Sequence, residues 1–394
     1  MISSKIQENL KSSSWIRKMF EEGERLRRIY GPDKVYDFTL GNPDPEPPEA
    51  VKKALRDLVL SDQPGMHRYM SNAGFEETRS KIAKLHRAET GLPIESKHVV
   101  MTCGAAGGLN VVLKTILDPG DEVLVFAPFF VEYLFYIDNH GGKAVIVHTN
   151  HKTFEPDPEA LRKHITPRTK AILLNSPNNP TGVVYREETL KQMAKMLEDK
   201  EKEMGTTIYV LSDEPYSKLV YDNIKVPHMH TIFKNSVIVN SFSKSLALPG
   251  ERIGYIAVNP QISDADLLVD GLVFSNRTLG FVNAPALFQK VITEALDASV
   301  DVELYRERRD ILYNHITKLG FSCIKPQGAF YLFPKSPLED DVEFVAKALK
   351  YNILLVPGQG FGCPGYFRMS YCVSLETILN SLPAFEALAA ELNL

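Results

Sequence analysis

The stretch SFSKSLALPGERIG, residues 241–254, sets one lysine, Lys244, among small hydroxyl residues, with an arginine, Arg252, eight positions on. A solvated surface lysine needs no such company. A lysine that bonds covalently to a phosphorylated ligand would need all of it. A lysine amine shifts its pKa readily with its surroundings and becomes a nucleophile once it loses its proton. Ser241 and Ser243 supply hydroxyl donors and Arg252 a fixed positive fork, which suit a dianionic phosphate. The glycine-rich TCGAAGGLN (102–110) has the composition of a turn that opens a helix, where backbone N–H groups and the positive dipole end cradle a phosphate. The competing reading is that its small residues only let a helix pack closely on a sheet.

Asp213, in SDEPYSKLVYD, also has two readings. Beside a proline an aspartate commonly caps a turn. Buried, its carboxylate could instead face a protonated ring nitrogen, the partner that a pyridinium electron sink needs. Tyr216, three residues on, would reach that ring's phenolic oxygen if the segment starts a helical turn. Phe130, in APFFVEYLF, is either core or a flat platform for the ring. A rival signal, GFGCPG (360–365), fits the dinucleotide fingerprint, but Pro364 interrupts it and a strand-like run follows. That pattern predicts a loop, which demotes hydride transfer.

These residues need elements to hold them. From about 98 to 258, short apolar runs (HVVMT, EVLVFA, AVIVHT, AILLNS, TIYVLS, SVIVNS, IGYIAV) alternate with helical stretches such as EETLKQMAKMLEDKEKEM. Near-continuous apolar strands alternating with helices predict an α/β fold with a mostly parallel, seven-stranded sheet covered on both faces. Gly104, Pro128, Asn179, Asp213 and Lys244 each follow one of these strands, and ligands bind outside the carboxyl ends of such strands. Residues 5–28 read as an amphipathic helix, GNPDPEPPEA (41–50) as a crossing, and the chain beyond about 286 as a smaller α+β unit. The expected division is a small domain of 1–48 with 286–394, and a large domain of 49–285.

Lys and Arg total 45 against 49 Asp and Glu, a net charge of −4. So even a balance predicts no basic face for nucleic acid. No apolar run approaches a bilayer span and the N-terminus lacks a signal-peptide core, so a cytoplasmic, membrane-free protein is expected. Four cysteines without C-x-x-C spacing predict neither disulfides nor a zinc motif, and no metal is expected.

SFSKSLALPGERIG resembles, position by position, the lysine signature of the class I and II pyridoxal-phosphate aminotransferases, the fold type I, aspartate aminotransferase-like enzymes. NSPNNPTG (175–182), SDEPY (212–216), PQGAFY (326–331) and FRMS (367–370) are similar to that family's other landmarks, in the family's order. The resemblance covers nearly the whole chain. It implies pyridoxal 5′-phosphate as cofactor, bound covalently by Lys244, which then shuttles a proton at the substrate. It implies that Asp213 keeps the ring nitrogen protonated, that Asn179 and Tyr216 bond the phenolic oxygen, and that Phe130 stacks on the ring. Gly104, Ala105, Ala106, Ser241, Ser243 and Arg252 match the phosphate cup. Arg368 matches the clamp on the substrate α-carboxylate, with Gly41 and Asn179 lining that pocket, and Asn179–Pro180 is a candidate cis bond. Tyr69 resembles the tyrosine that reaches the neighbouring subunit's phosphate, implying a homodimer with shared sites.

Two departures bear on the substrate. Arg277 lies in the region of the family's second, side-chain-reading arginine, with its spacing to the following NAP about one residue off; the alternative is a solvated loop arginine. Trp15, Ile16 or Arg17 would border the substrate entrance, or simply pack the small domain. The expected reaction moves an amino group from an aspartate-like or aromatic L-amino acid to a 2-oxo acid such as 2-oxoglutarate. A lyase, decarboxylase or synthase on the same scaffold would share the same residues, and a non-catalytic regulatory domain is the remote alternative.

Overall fold

A computed structural model describes residues 2–12, 14–61 and 63–394, with backbone alone for 11–20. The centre is a seven-stranded sheet in the order Val99–Thr102, Gly254–Val258, Ser236–Ser241, Tyr209–Asp213, Thr169–Asn175, Glu122–Ala127, Lys143–His148. Gly254–Val258 runs antiparallel to both of its neighbours, and the other pairs are parallel. Val99–Thr102, Glu122–Ala127 and Gly254–Val258 are buried at every position. That is why these segments read as unbroken apolar runs rather than alternating ones.

The helices bury one stripe each. Glu187–Met204 buries Leu190, Met193 and Leu197 at three- and four-residue spacing. It ends where Gly205 turns left-handed and its N–H returns to the Glu201 carbonyl. Each fully buried aliphatic side chain of this kind stabilises the fold by about 1.5–3 kcal/mol relative to an exposed one.

At the N-terminus, where one amphipathic helix is expected over 5–28, the described residues are helical over Ser4–Ser12 and Ser14–Tyr30, and residue 13 lies outside the described residues. Strand Tyr36–Asp37 then pairs in parallel with Ile353–Leu354. Backbone bonds continue the pairing, from Phe38 N–H to the Leu354 carbonyl and from Ser370 N–H to the Phe38 carbonyl. Phe38 shares one core with Phe330, Phe344, Phe367 and Phe385, and Leu26 and Val35 pack with Leu354, so this stretch packs with the C-terminal unit. A three-stranded antiparallel sheet, Val356–Pro357, Phe367–Ser370 and Tyr331–Leu332, frames that unit. Helix Ala286–Ala295 contributes Val291, Ile292 and Ala295 to the larger core, beside Val51, Ala54 and Leu58. GFGCPG forms a 3₁₀ turn, Gly358–Phe361, and a loop before Phe367–Ser370, with no helix opening from it. Among the described residues, no helix is long and apolar enough to cross a membrane.

Candidate active site

At the carboxyl ends of these strands lies a cavity of about 420 Å³. Strand Ser236–Ser241 delivers Ser241, and the single turn Phe242–Ser245 that follows carries Ser243 and Lys244 into it. A 3₁₀ turn, Pro249–Glu251, then hands the chain to Arg252, whose φ of 51° lies in the left-handed region. Opposite, Gly104 opens helix Gly104–Ile116 with φ 73°, and Ala105 and Ala106 of its first turn line the cavity. Gly104 suits this turn because its φ of 73° strains any other residue, and a Cβ there would also crowd the Arg252 guanidinium at 3.0 Å. A helix start, hydroxyls and an arginine thus converge where an anion could bind.

Asp213 closes strand Tyr209–Asp213 and is buried. Tyr133 Oη donates to its Oδ2 at 2.5 Å, while Oδ1 is buried without a hydrogen-bond partner. Leaving such an atom unsatisfied costs about 1–3 kcal/mol. Burial pushes the Asp213 carboxyl up to about 7, against the opposing effect of the Tyr133 hydroxyl. A cation brought to Oδ1 would satisfy the oxygen and favour the ionised form. The surface-turn reading of Asp213 does not fit, since the residue is buried, lines the cavity and caps nothing with Oδ1.

Lys244 is half-buried, and the burial of its amine lowers it to about 8. Its Nζ donates to the Gly41 carbonyl at 2.5 Å. A Cβ on Gly41 would fall 1.9 Å from Tyr331 Oη, so the close approach of these two segments requires glycine. Tyr331 Oη in turn lies 3.0 Å from Tyr216 Oη.

Arg368, from strand Phe367–Ser370, is 3% exposed and lies between the rings of Tyr331 and Phe361, each 4.7 Å away. One Nη donates to Asn179 Oδ1 at 3.0 Å and the other to the Thr39 carbonyl. Neither partner is an acid, and its Nε has none at all. A buried guanidinium without a counter-charge costs several kcal/mol, which an incoming carboxylate would offset. Asn179 is held by its own N–H bond to Asn175 Oδ1 at 2.7 Å, and Asn175 Nδ2 binds the Asp213 carbonyl at 2.9 Å. The Asn179–Pro180 bond is cis.

Phe130 lines the cavity, half-buried, edge-on to Tyr133 at 5.5 Å. Two expected residues stand apart in the single chain. Tyr69 is 92% exposed, and Arg277 is exposed at the end of helix Ala265–Thr278, 5.3 Å from the Phe274 ring. The side chains of Trp15, Ile16 and Arg17 lie outside the described residues. Sequence reasoning missed Tyr133, Tyr136, Asn175 and Tyr331, all of which line the cavity. Tyr133 had a signal: it follows Phe130 by three residues, and Tyr331 closes the quoted PQGAFY. The cavity therefore offers an anion cup, an unsatisfied carboxylate oxygen, a deprotonatable amine and an unpaired guanidinium.

The family description "Aminotransferase class I and II" matches residues 33–385. The aspartate/prephenate aminotransferase of Thermus thermophilus is 36% identical over 355 residues, 88% of this chain and 89% of that one. The aspartate aminotransferase of Thermotoga maritima is 34% identical, over 90% and 91% of the two chains. Among solved structures, an aminotransferase from Eubacterium rectale superposes over the whole of both chains with a TM-score of 0.96 at 40% identity. The Thermus thermophilus aspartate aminotransferase with maleate gives 0.85 at 32%, over 95% and 96%. With the seven-stranded sheet and the lysine motif in place, the chain belongs to the class I and II aminotransferases, enzymes of fold type I.

Proposed function

We propose that this aminotransferase binds pyridoxal 5′-phosphate in the 420 Å³ cavity and prefers a dicarboxylic donor, aspartate or glutamate, with 2-oxoglutarate as acceptor. The observation that carries the reading is the pair of unsatisfied buried groups, Asp213 Oδ1 and Arg368 Nε, in the cavity that holds Lys244. One asks for a cation and the other for a carboxylate. A pyridinium ring and an α-amino acid supply them. When bound, the cofactor supplies an electron sink that stabilises negative charge developing at the substrate Cα.

The chain's own residues do the rest. The helix start at 104–106, Ser241, Ser243 and Arg252 hold the phosphate. Asp213, steadied by Tyr133, keeps the ring nitrogen charged, while Asn179 and Tyr216 bond the phenolic oxygen. Phe130 packs on the ring face. Arg368 grips the α-carboxylate in a two-pronged contact and fixes which Cα bond is exposed to Lys244, with Gly41 and Asn179 beside it. Lys244, its amine lowered by burial to about 8, gives up its proton far more readily than a solvated lysine and takes the proton from Cα.

Tyr69 and Arg277 have no role in a lone protomer, which supports a homodimer in which each completes the neighbouring site. The names of the relatives, aspartate and aspartate/prephenate aminotransferases, favour the dicarboxylic donor. We place residues 1–48 and about 297–394 in the small domain and 49–296 in the large one, the expected boundary at 286 moving because helix Ala286–Ala295 packs in the larger core, and the protein in the cytoplasm. A donor panel with 2-oxoglutarate tests the substrate. Arg277→Ala is expected to cut kcat/KM for aspartate by about 30-fold or more, the loss of one buried charge pair, and to spare phenylalanine and alanine. An equal fall for all donors, or no change, would reject Arg277 as the side-chain reader.

A further inference from the structure

A second cavity, of about 900 Å³, lies apart from the first, lined by helix Glu76–Thr90, the 224–228 segment and residues just past strand Tyr209–Asp213. On its wall, His86 and Glu89 project from one face of the helix at i and i+3. His228, the N-cap of helix Met229–Ile232, meets them from the opposite segment. His86 Nδ1 is 3.0 Å from His228 Nε2, and His228 Nε2 is 3.7 Å from Glu89 Oε2. One donor atom from each of the three lies within 4.8 Å of the others. A tetrahedral ion with bonds near 2.0–2.2 Å separates its donors by about 3.3–3.5 Å, so these spacings bracket the requirement. His86 also has the outer contact that ligand histidines use: its Nε2 lies 3.1 Å from Tyr255 Oη, which holds the Nδ1 lone pair toward the cluster.

We propose that His86 Nδ1, His228 Nε2 and Glu89 Oε2 form a binding site for a divalent ion of the zinc class, its fourth position open to the cavity. Two imidazoles and one carboxylate select Zn²⁺, Co²⁺ or Ni²⁺ over the hard cations Mg²⁺ and Ca²⁺. The ion takes the place of the proton that otherwise joins the two histidines. That proton moves from His228 Nε2 to Nδ1, giving up the 3.3 Å bond that Nδ1 accepts from His230 N–H. The site would tie the helix to the 224–228 segment, one layer removed from the amine and carboxylate chemistry.

The test uses untagged full-length holoenzyme, stripped with chelator and desalted. Titration with Co²⁺ is expected to give ligand-field absorption saturating at one ion per chain and displaced by Zn²⁺. His228→Gln and Glu89→Gln, each changed at a position that is not fully buried, are expected to weaken Zn²⁺ binding by at least about 100-fold, beyond the loss seen for an outer partner alone. Zn²⁺ is expected to raise the Tm of the parent enzyme and not of either variant. No stoichiometric binding would overturn the site, leaving a hydrogen-bonded histidine pair. Binding of equal strength in both variants would place the ion elsewhere and overturn it as well.

Discussion

Asp213 and Glu214 are neighbours in sequence, both buried, both carboxylic acids, and they line different cavities. Successive side chains at a strand end point to opposite faces, so one residue's step carries the chain from one site to the other. Asn240 and Ser241 repeat the division on the adjacent strand. Burial pushes both acids up, Asp213 to about 7 and Glu214 to about 8. Each accepts one side-chain hydroxyl, Glu214 Oε1 from Ser212 Oγ at 2.7 Å and Asp213 Oδ2 from Tyr133 Oη at 2.5 Å. The difference is that Asp213 alone of the two has an oxygen buried without a partner. A raised pKa therefore does not separate the working carboxylate from its neighbour; an unmet bonding demand inside a cavity does.

The sharpest way to break this contrast is to neutralise each acid in turn. Asp213→Asn keeps the shape, can still bond Tyr133, and removes the charge that a ring nitrogen needs. Turnover is expected to fall by about 10²–10³-fold, the scale of losing one preorganised electrostatic contact, with the fold intact by circular dichroism. Near-parental turnover would make Asp213 a structural residue like Glu214.

Glu214→Gln is the milder companion. Turnover is expected to hold within about twofold, since nothing places this side chain in the cofactor cavity. Stability carries the signal instead. With a folded pKa near 8 above an unfolded value of 4.5, Glu214 favours the fold fully below pH 4.5, and that contribution drains away as pH rises through 8. The Tm of Glu214→Gln minus that of the parent should accordingly grow more positive from pH 5 to pH 8, by thermal melts at each pH. A flat difference would mean that Glu214 is not buried as a neutral acid.

Much of this was legible in the chain. Strands buried on both faces leave unbroken apolar runs, so the central sheet could be read directly. Of the five residues picked by the strand-end rule, Asn179, Asp213 and Lys244 line one cavity and Gly104 and Pro128 do not, because α/β sheets bring those ends together but not every residue at them faces inward. Tyr133, Asn175 and Tyr331 escaped because their roles rest on contacts across 80, 38 and 115 residues. A tyrosine in a core-like run carries no local mark that its hydroxyl will meet a carboxylate. The His86–Glu89–His228 cluster was hidden for the same reason, with two ligands a helical turn apart and the third 142 residues on.

The central claim is that Lys244 Nζ, alone among the lysines, is the amine that meets the cofactor. It is tested most directly by adding pyridoxal 5′-phosphate to the protein, reducing with borohydride and mapping the modified peptide. The pyridoxyl group is expected on Lys244 alone, at one per chain, with uptake speeding as pH rises through about 8 because only the neutral amine attacks. Lys244→Ala should still bind the cofactor reversibly, take no label and have no turnover. A reduced adduct on another lysine in the parent enzyme, or turnover surviving in Lys244→Ala, would contradict the assignment.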